Sequence, residues 1–137
     1  MLVILDTNVV VSAIRSKRGA SFQVVSRIGT DAFNLAVSVP LVLEYESALL
    51  RHVAASDLDE DDVLAIVDYI CLVARRQPIF LLWRPLLRDP KDDMIAEAGI
   101  AAGCEAVVTH NRSDFEKLTQ FGVGVLSPRD FLREIEG

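Results

Sequence analysis

Four apolar residues in a row, Leu2-Val3-Ile4-Leu5, run straight into a carboxylate, Asp6. A short unbroken apolar run reads as a strand buried on both faces, as a parallel sheet requires. An acid ending such a strand lies at the carboxyl edge of the sheet, where open α/β sheets bind their ligands. Thr7 and Asn8 then lead into a helix over 9–14, and a basic turn, Arg15-Ser16-Lys17-Arg18-Gly19, follows. Phe22, Val25 and Ile28 recur at helical spacing and predict a helix over 20–28 that stops at Gly29. A second strand is expected over 33–39, with Pro40 opening a helix over 41–53. The acidic run 57–62 introduces an amphipathic helix over 59–76, whose terminal Arg75-Arg76 suits the helix dipole. A third strand is expected over 78–83, then a polar turn.

Beyond that turn, Ala96, Ala98, Gly99, Ala101 and Ala102 give a small-residue helix over 93–102, able to pack closely on a sheet and closed by Gly103. Strands over 106–109 and 124–126 bracket a short helix after Asn111, and Ser127-Pro128 starts a last helix ending near Glu136. Strands alternating with helices call for one α/β domain over 1–137, with a parallel sheet, helices on both faces and right-handed crossovers.

Composition narrows the class. At 137 residues, half apolar and a quarter charged, the chain is an ordinary globular domain. No apolar stretch reaches the 18 or so residues of a membrane span, and the amino terminus lacks the basic region of a secretory signal. Cys71 and Cys104 carry neither zinc spacing nor a disulfide framework, so a cytoplasmic setting without membrane association is expected. The net charge of −6 argues against a nucleic-acid partner only if the acids are scattered. Four carboxylates gathered around divalent cations would leave only −2 elsewhere.

The acids do gather. Asp6 ends the first strand, Glu44 lies early in the helix after the second, and Asp114 follows the fourth. Those strands share one carboxyl edge, so the three acids point toward one rim, while Asp93 must reach it from a helix start. Plainer roles compete at each position. Asp6 or Thr7 could cap the first helix, Asp114 could close a capping interaction with Asn111, and Asp92 and Asp93 are ordinary first-turn acids. Glu44 has a competitor in Glu46. A series of helix caps, however, does not explain an acid that terminates a fully apolar strand. Clustered carboxylates without Cys or His suit a hard cation, Mg²⁺ or Mn²⁺, which can activate water and neutralise charge developing at phosphorus. His52 and His110 are lone histidines; His110, beside the rim, is either a substrate contact or a turn residue with a local hydrogen bond.

Asp6-Thr7-Asn8-Val9 after an apolar strand, Glu44-Tyr45, Asp89-Pro90-Lys91-Asp92-Asp93 before a small-residue helix, and Val108-Thr109-His110-Asn111-Arg112-Ser113-Asp114-Phe115 together resemble the PIN domain. More closely, they are similar to its bacterial and archaeal toxin-like branch related to the VapC toxins, over about residues 2–132. The resemblance implies a three-layer α/β/α fold with a five-stranded parallel sheet whose first and fourth strands are central neighbours. It implies a Mg²⁺- or Mn²⁺-dependent endoribonuclease acting on single-stranded RNA, with Asp6, Glu44, Asp93 and Asp114 as metal ligands and catalytic acids. Asp92 or Asp89 could replace Asp93. Asn8 and Thr109 match positions that support the site by hydrogen bonds. It also implies a homodimer and a cognate antitoxin protein, so that the chain would be the toxin of a toxin–antitoxin pair. Arg15, Lys17, Arg18 and Arg112 are candidate phosphate contacts, each competing with the role of a plain solvated cation.

Two other readings compete. An aspartyl-nucleophile phosphatase also begins with a strand ending in Asp, but it wants a second Asp two residues on, where Asn8 stands, and no matching lysine is evident. A catalytically idle domain that binds RNA or protein through the same groove is the non-enzymatic alternative.

Overall fold

The computed structural model describes residues 1–79 and 86–137. Among them, five parallel strands form one sheet in the order β3-β2-β1-β4-β5. Strand β1 (Leu2–Leu5) lies at its centre, between β2 (Asn34–Val37) and β4 (Ala106–Val108), and β5 (Gly124–Leu126) completes one side. Leu5 pairs with Val108 and Val3 with both Leu35 and Ala106. Val3, Ile4 and Leu5 are entirely buried, as are Val107 and Val108, which is why these strands are apolar without alternation.

The third strand differs from expectation. Helix α4 (Glu60–Val73) stops three residues early, and Arg75–Arg76 form β3, paired in parallel with Ala36 and Val37. Both arginines are exposed on the sheet edge, where backbone pairing alone suffices and a charged side chain guards against further pairing. Pro78 and Ile79 lie beyond this strand, and the rest of the expected run, 80–83, lies outside the described residues.

Helices cover both faces of the sheet in three layers. Helix α1 (Thr7–Arg15) packs against α2 (Ala20–Ser26) and α3 (Val39–His52); α3 packs on α4, and α2 on the last helix, α7 (Pro128–Glu136). Phe33 and Phe131 meet edge to face at 5.0 Å beneath α7. Asp59 caps α4 reciprocally with Asp62, so the acidic run is a helix entry. Helix α5 (Pro90–Ala102) lies directly on β1 and β2. A Cβ at Gly99 would stand 3.4 Å from Ile4 and 3.8 Å from Val107, so the small residues bring α5 down onto the central strands. Its first turn is thereby fixed near the carboxyl ends of β1 and β2. Gly103, left-handed at φ 66°, ends it. A short helix, α6 (Arg112–Phe115), and a 3₁₀ segment, Glu116–Phe121, join β4 to β5.

Candidate active site

Asp6 occupies the cap position of α1, yet its side chain makes no capping hydrogen bond. It turns instead toward β4. The Thr109 hydroxyl donates to Asp6 Oδ2 at 2.7 Å and accepts the Asn111 amide at 2.9 Å. Thr109 is fully buried and Asp6 is 4% exposed. Burial pushes the Asp6 carboxyl above its ordinary range. The Thr109 hydrogen bond, the Asn8 amide, nearby His110 and the Thr7 amide oppose that rise in part. On the other side, buried Tyr45 donates its hydroxyl to the Leu5 carbonyl at 2.5 Å. That bond fixes the start of α3 over the end of β1, and Glu44 on the same helix lines the cavity that Asp6 enters.

Asp6 opens into a cavity of about 240 Å³ lined by Thr7, Asn8, Glu44, Ala48, Arg51, His52, Asp89, Lys91 and Asp92, with Val11 and Ile95 as its apolar wall. The three adjacent acids at the head of α5 have separate tasks. Asp89 caps the helix, accepting the Lys91 amide at 2.9 Å. Asp93 points inward: it is 2% exposed, and its Oδ1 accepts the Leu86 and Leu87 amides at 3.2 and 2.6 Å. Asp92 faces the cavity. The position expected for Asp93 at the rim is therefore held by its neighbour, because one residue along a helix turns a side chain by about 100°.

Asp92 reports the charge around it. Its carboxyl is pushed up to about 6, first by burial and then by the charges of Asp6, Asp89, Asp114 and Asp93. Asp114 thus acts on the same point, although it is exposed on α6 and borders the neighbouring cleft with Arg88, Ser113 and Lys117. The capping bond considered for it is absent, since the Asn111 side chain makes none at α6.

Asp6, Glu44, Asp92 and Asp114 offer only carboxylate oxygens, the ligands of hard cations, and a carboxyl that resists ionising beside four other acids is one a cation would relieve. Among the described residues, no three His, Cys, Asp or Glu side chains already stand at the spacing of one coordination sphere. The cavity presents suitable donors around a space and does not form a closed cage.

The basic residues named from sequence fall elsewhere. Arg15 ends α1 and Lys17 and Arg18 lie just past it, roughly 13 Å of helix from Asp6, and Lys17 pairs with Asp57 at 3.6 Å. Arg112 pairs with Asp130 at 3.7 Å. The cations that do line the cavity, Arg51 and Lys91, were missed. Positions 44, 48, 51 and 52 follow one face of α3, so the periodicity starting at Glu44 was the available signal. His110 is held by a distant partner, its Nε2 lying 2.7 Å from Oγ of buried Ser21 on α2.

A three-layer domain with acids converging on the carboxyl rim of a parallel sheet is the class that fold and site define. The sequence model of the PIN domain family matches residues 2–113, and the chain belongs to that family. No curated protein matches its sequence. Among solved structures it is similar to a chain of VapBC2 from Rickettsia felis, crystallised bound to a DNA fragment from their promoter. There the TM-score is 0.61 at 16% identity, covering 93% of this chain and 100% of the other. It is also similar to a chain of VapBC-1 from nontypeable Haemophilus influenzae, with a TM-score of 0.60 at 15% identity over 94% and 99% of the two chains. At these identities the likeness is one of fold.

Proposed function

We propose that this chain is a Mg²⁺- or Mn²⁺-dependent endoribonuclease that hydrolyses phosphodiester bonds of single-stranded RNA, acting as the toxin of a toxin–antitoxin pair. The observation that carries the reading is the gathering of Asp6, Glu44, Asp89 and Asp92 around one cavity, where burial first and then the neighbouring acids push the Asp92 carboxyl up to about 6. So much like charge is costly to maintain without a cation. Family membership and the likeness to VapBC chains support the same reading.

Asp6 and Asp92 would hold the ion, with Glu44 and Asp114 completing its acidic surroundings. A bound divalent ion supplies Lewis acidity toward water and countercharge for the phosphoryl oxygens. The rest falls to the chain. Thr109 fixes the Asp6 carboxylate in one orientation, and Tyr45 locks the strand end that carries it. Asp93 acts outside the cavity, holding the Leu86–Leu87 backbone against α5. Hydrolysis adds water across one P–O bond, leaving a phosphate on one fragment and a hydroxyl on the other. The partners that follow from this reading are RNA, an antitoxin protein and a second copy of the chain; no helix of the described residues is long and apolar enough to cross a membrane.

The test is cleavage of a mixed-sequence single-stranded RNA with Mn²⁺, with Mg²⁺ and with EDTA, for the wild type and Asp6→Asn. Cleavage that requires metal and is lost in the variant is expected. Undiminished cleavage by Asp6→Asn would overturn the assignment.

A further inference from the structure

We infer that Arg51 is the side chain that grips a nucleic-acid phosphate over the carboxylates, an inference resting on the nuclease reading above. A cavity walled by Asp6, Glu44, Asp89 and Asp92 repels a polyanion wherever neither a bound ion nor a cation of the wall offsets its charge. The four basic residues that sequence reading nominated do not line this cavity. Arg51 and Lys91 do.

Of these two, Arg51 is the one held in place. It stands on α3 two turns beyond Glu44, on the same face. Its Nη1 donates to Ser47 Oγ at 2.8 Å, while Nη2 lies 3.7 Å from Glu44 Oε1. These contacts set the plane of the guanidinium and occupy only part of its five N–H donors. The side chain is still 54% exposed, so the rest of the fork faces incoming substrate. A planar fork suits two phosphate oxygens at once, whereas Lys91 offers a point charge on a flexible stem. A long, half-exposed pair with Glu44 adds little to stability, so removing Arg51 should leave the chain folded.

The experiment measures binding of a fluorescent single-stranded RNA across a salt series, in an Asp6→Asn background that blocks cleavage, with Arg51 intact, Arg51→Ala or Arg51→Lys. Arg51→Ala should weaken binding about tenfold and flatten the dependence of log affinity on log salt by ~0.7, the contribution of one phosphate contact on a single strand. Arg51→Lys should restore that slope while binding less tightly. With Asp6 present, Arg51→Ala should raise KM for cleavage about tenfold and change kcat little. Unchanged salt slope and KM in a folded Arg51→Ala chain overturn the assignment. So does a fall in kcat at constant KM, which would make Arg51 merely the countercharge of Glu44. A wild-type chain that neither binds nor cleaves RNA overturns the nuclease reading itself, and the role of Arg51 with it.

Discussion

The Thr109 hydroxyl and the Asp6 carboxylate meet at 2.7 Å although 103 residues separate them in the chain. The pairing of Leu5 with Val108 makes this inevitable, since the next residue of each strand then falls side by side at the rim. Thr109→Val keeps the shape and removes the donor, leaving a buried carboxylate short of a partner. A loss of about 1–3 kcal/mol is expected in urea unfolding. Thr109→Ser should retain most of the stability. Equal midpoints for Thr109→Val and wild type would show that the bond contributes nothing.

Asp92 gives the metal-free chain a pH dependence of defined sign. Its ordinary value of 3.8 is raised to about 6 on folding, so between these values the folded chain binds more protons than the unfolded one. Its contribution is therefore complete below about 3.8 and is lost as pH rises through about 6; the raised Asp6 carboxyl acts in the same direction. In EDTA, wild type should lose stability between pH 4 and 7 relative to Asp92→Asn. Urea midpoints across that range decide it, and parallel curves would contradict the charge convergence.

The same group predicts how metal should act. Mg²⁺ or Mn²⁺ at pH 7.5 should raise Tm by mass action on the folded state, with a much smaller rise at pH 4.5, where protons compete for the carboxylates. Asp92→Asn and Asp6→Asn should each lose most of the effect. An equal rise in Tm for both variants would place metal binding somewhere else.

Adjacent acids should fail in different ways. Asp93→Ala strands the Leu86 and Leu87 amides and should cost about 3 kcal/mol, whereas Asp93→Asn keeps Oδ1 as an acceptor and should recover much of that. Asp92→Ala should leave the fold intact and abolish cleavage. Thermal melts paired with RNA cleavage assays separate the two. A stable, inactive Asp93→Asn beside an active Asp92→Ala would reverse the assignment.

Tyr45→Phe tests the other anchor of the strand end. Losing its bond to the Leu5 carbonyl should cost about 1 kcal/mol. Because the bond also ties the helix that carries Glu44 to the strand end that carries Asp6, metal affinity should fall alongside stability. Calorimetric titration with Mn²⁺ reads this directly.

Strands β1, β2 and β4 were legible because a strand buried on both faces must be apolar almost throughout, and the half-buried edge strand β5 was legible from its apolar pair between Gly124 and Ser127-Pro128. Strand β3 was not, because two exposed arginines on a sheet edge satisfy the backbone while carrying the charge pattern of a helix end. The rim was legible for Asp6, whose position follows from the strand before it. The choice between Asp92 and Asp93 was not, because both are first-turn acids and only the packing of α5 on Ile4 decides which one turns inward. Arg51 could have been found, since the helix face that begins at Glu44 continues through positions 48 and 51.

The central place of β1 also sets the order in which the molecule becomes dangerous. A ribosome delivers Asp6 first, then Glu44 and Asp92, but the strand that flanks Asp6 and the hydroxyl that aims it arrive only with residues 106–109. A product that ends within α5 carries most of the acids but not the strand and hydroxyl that orient Asp6. If the chain attacks RNA as proposed, 103 codons beyond that of Asp6 are read before a competent hydrolase exists beside its message.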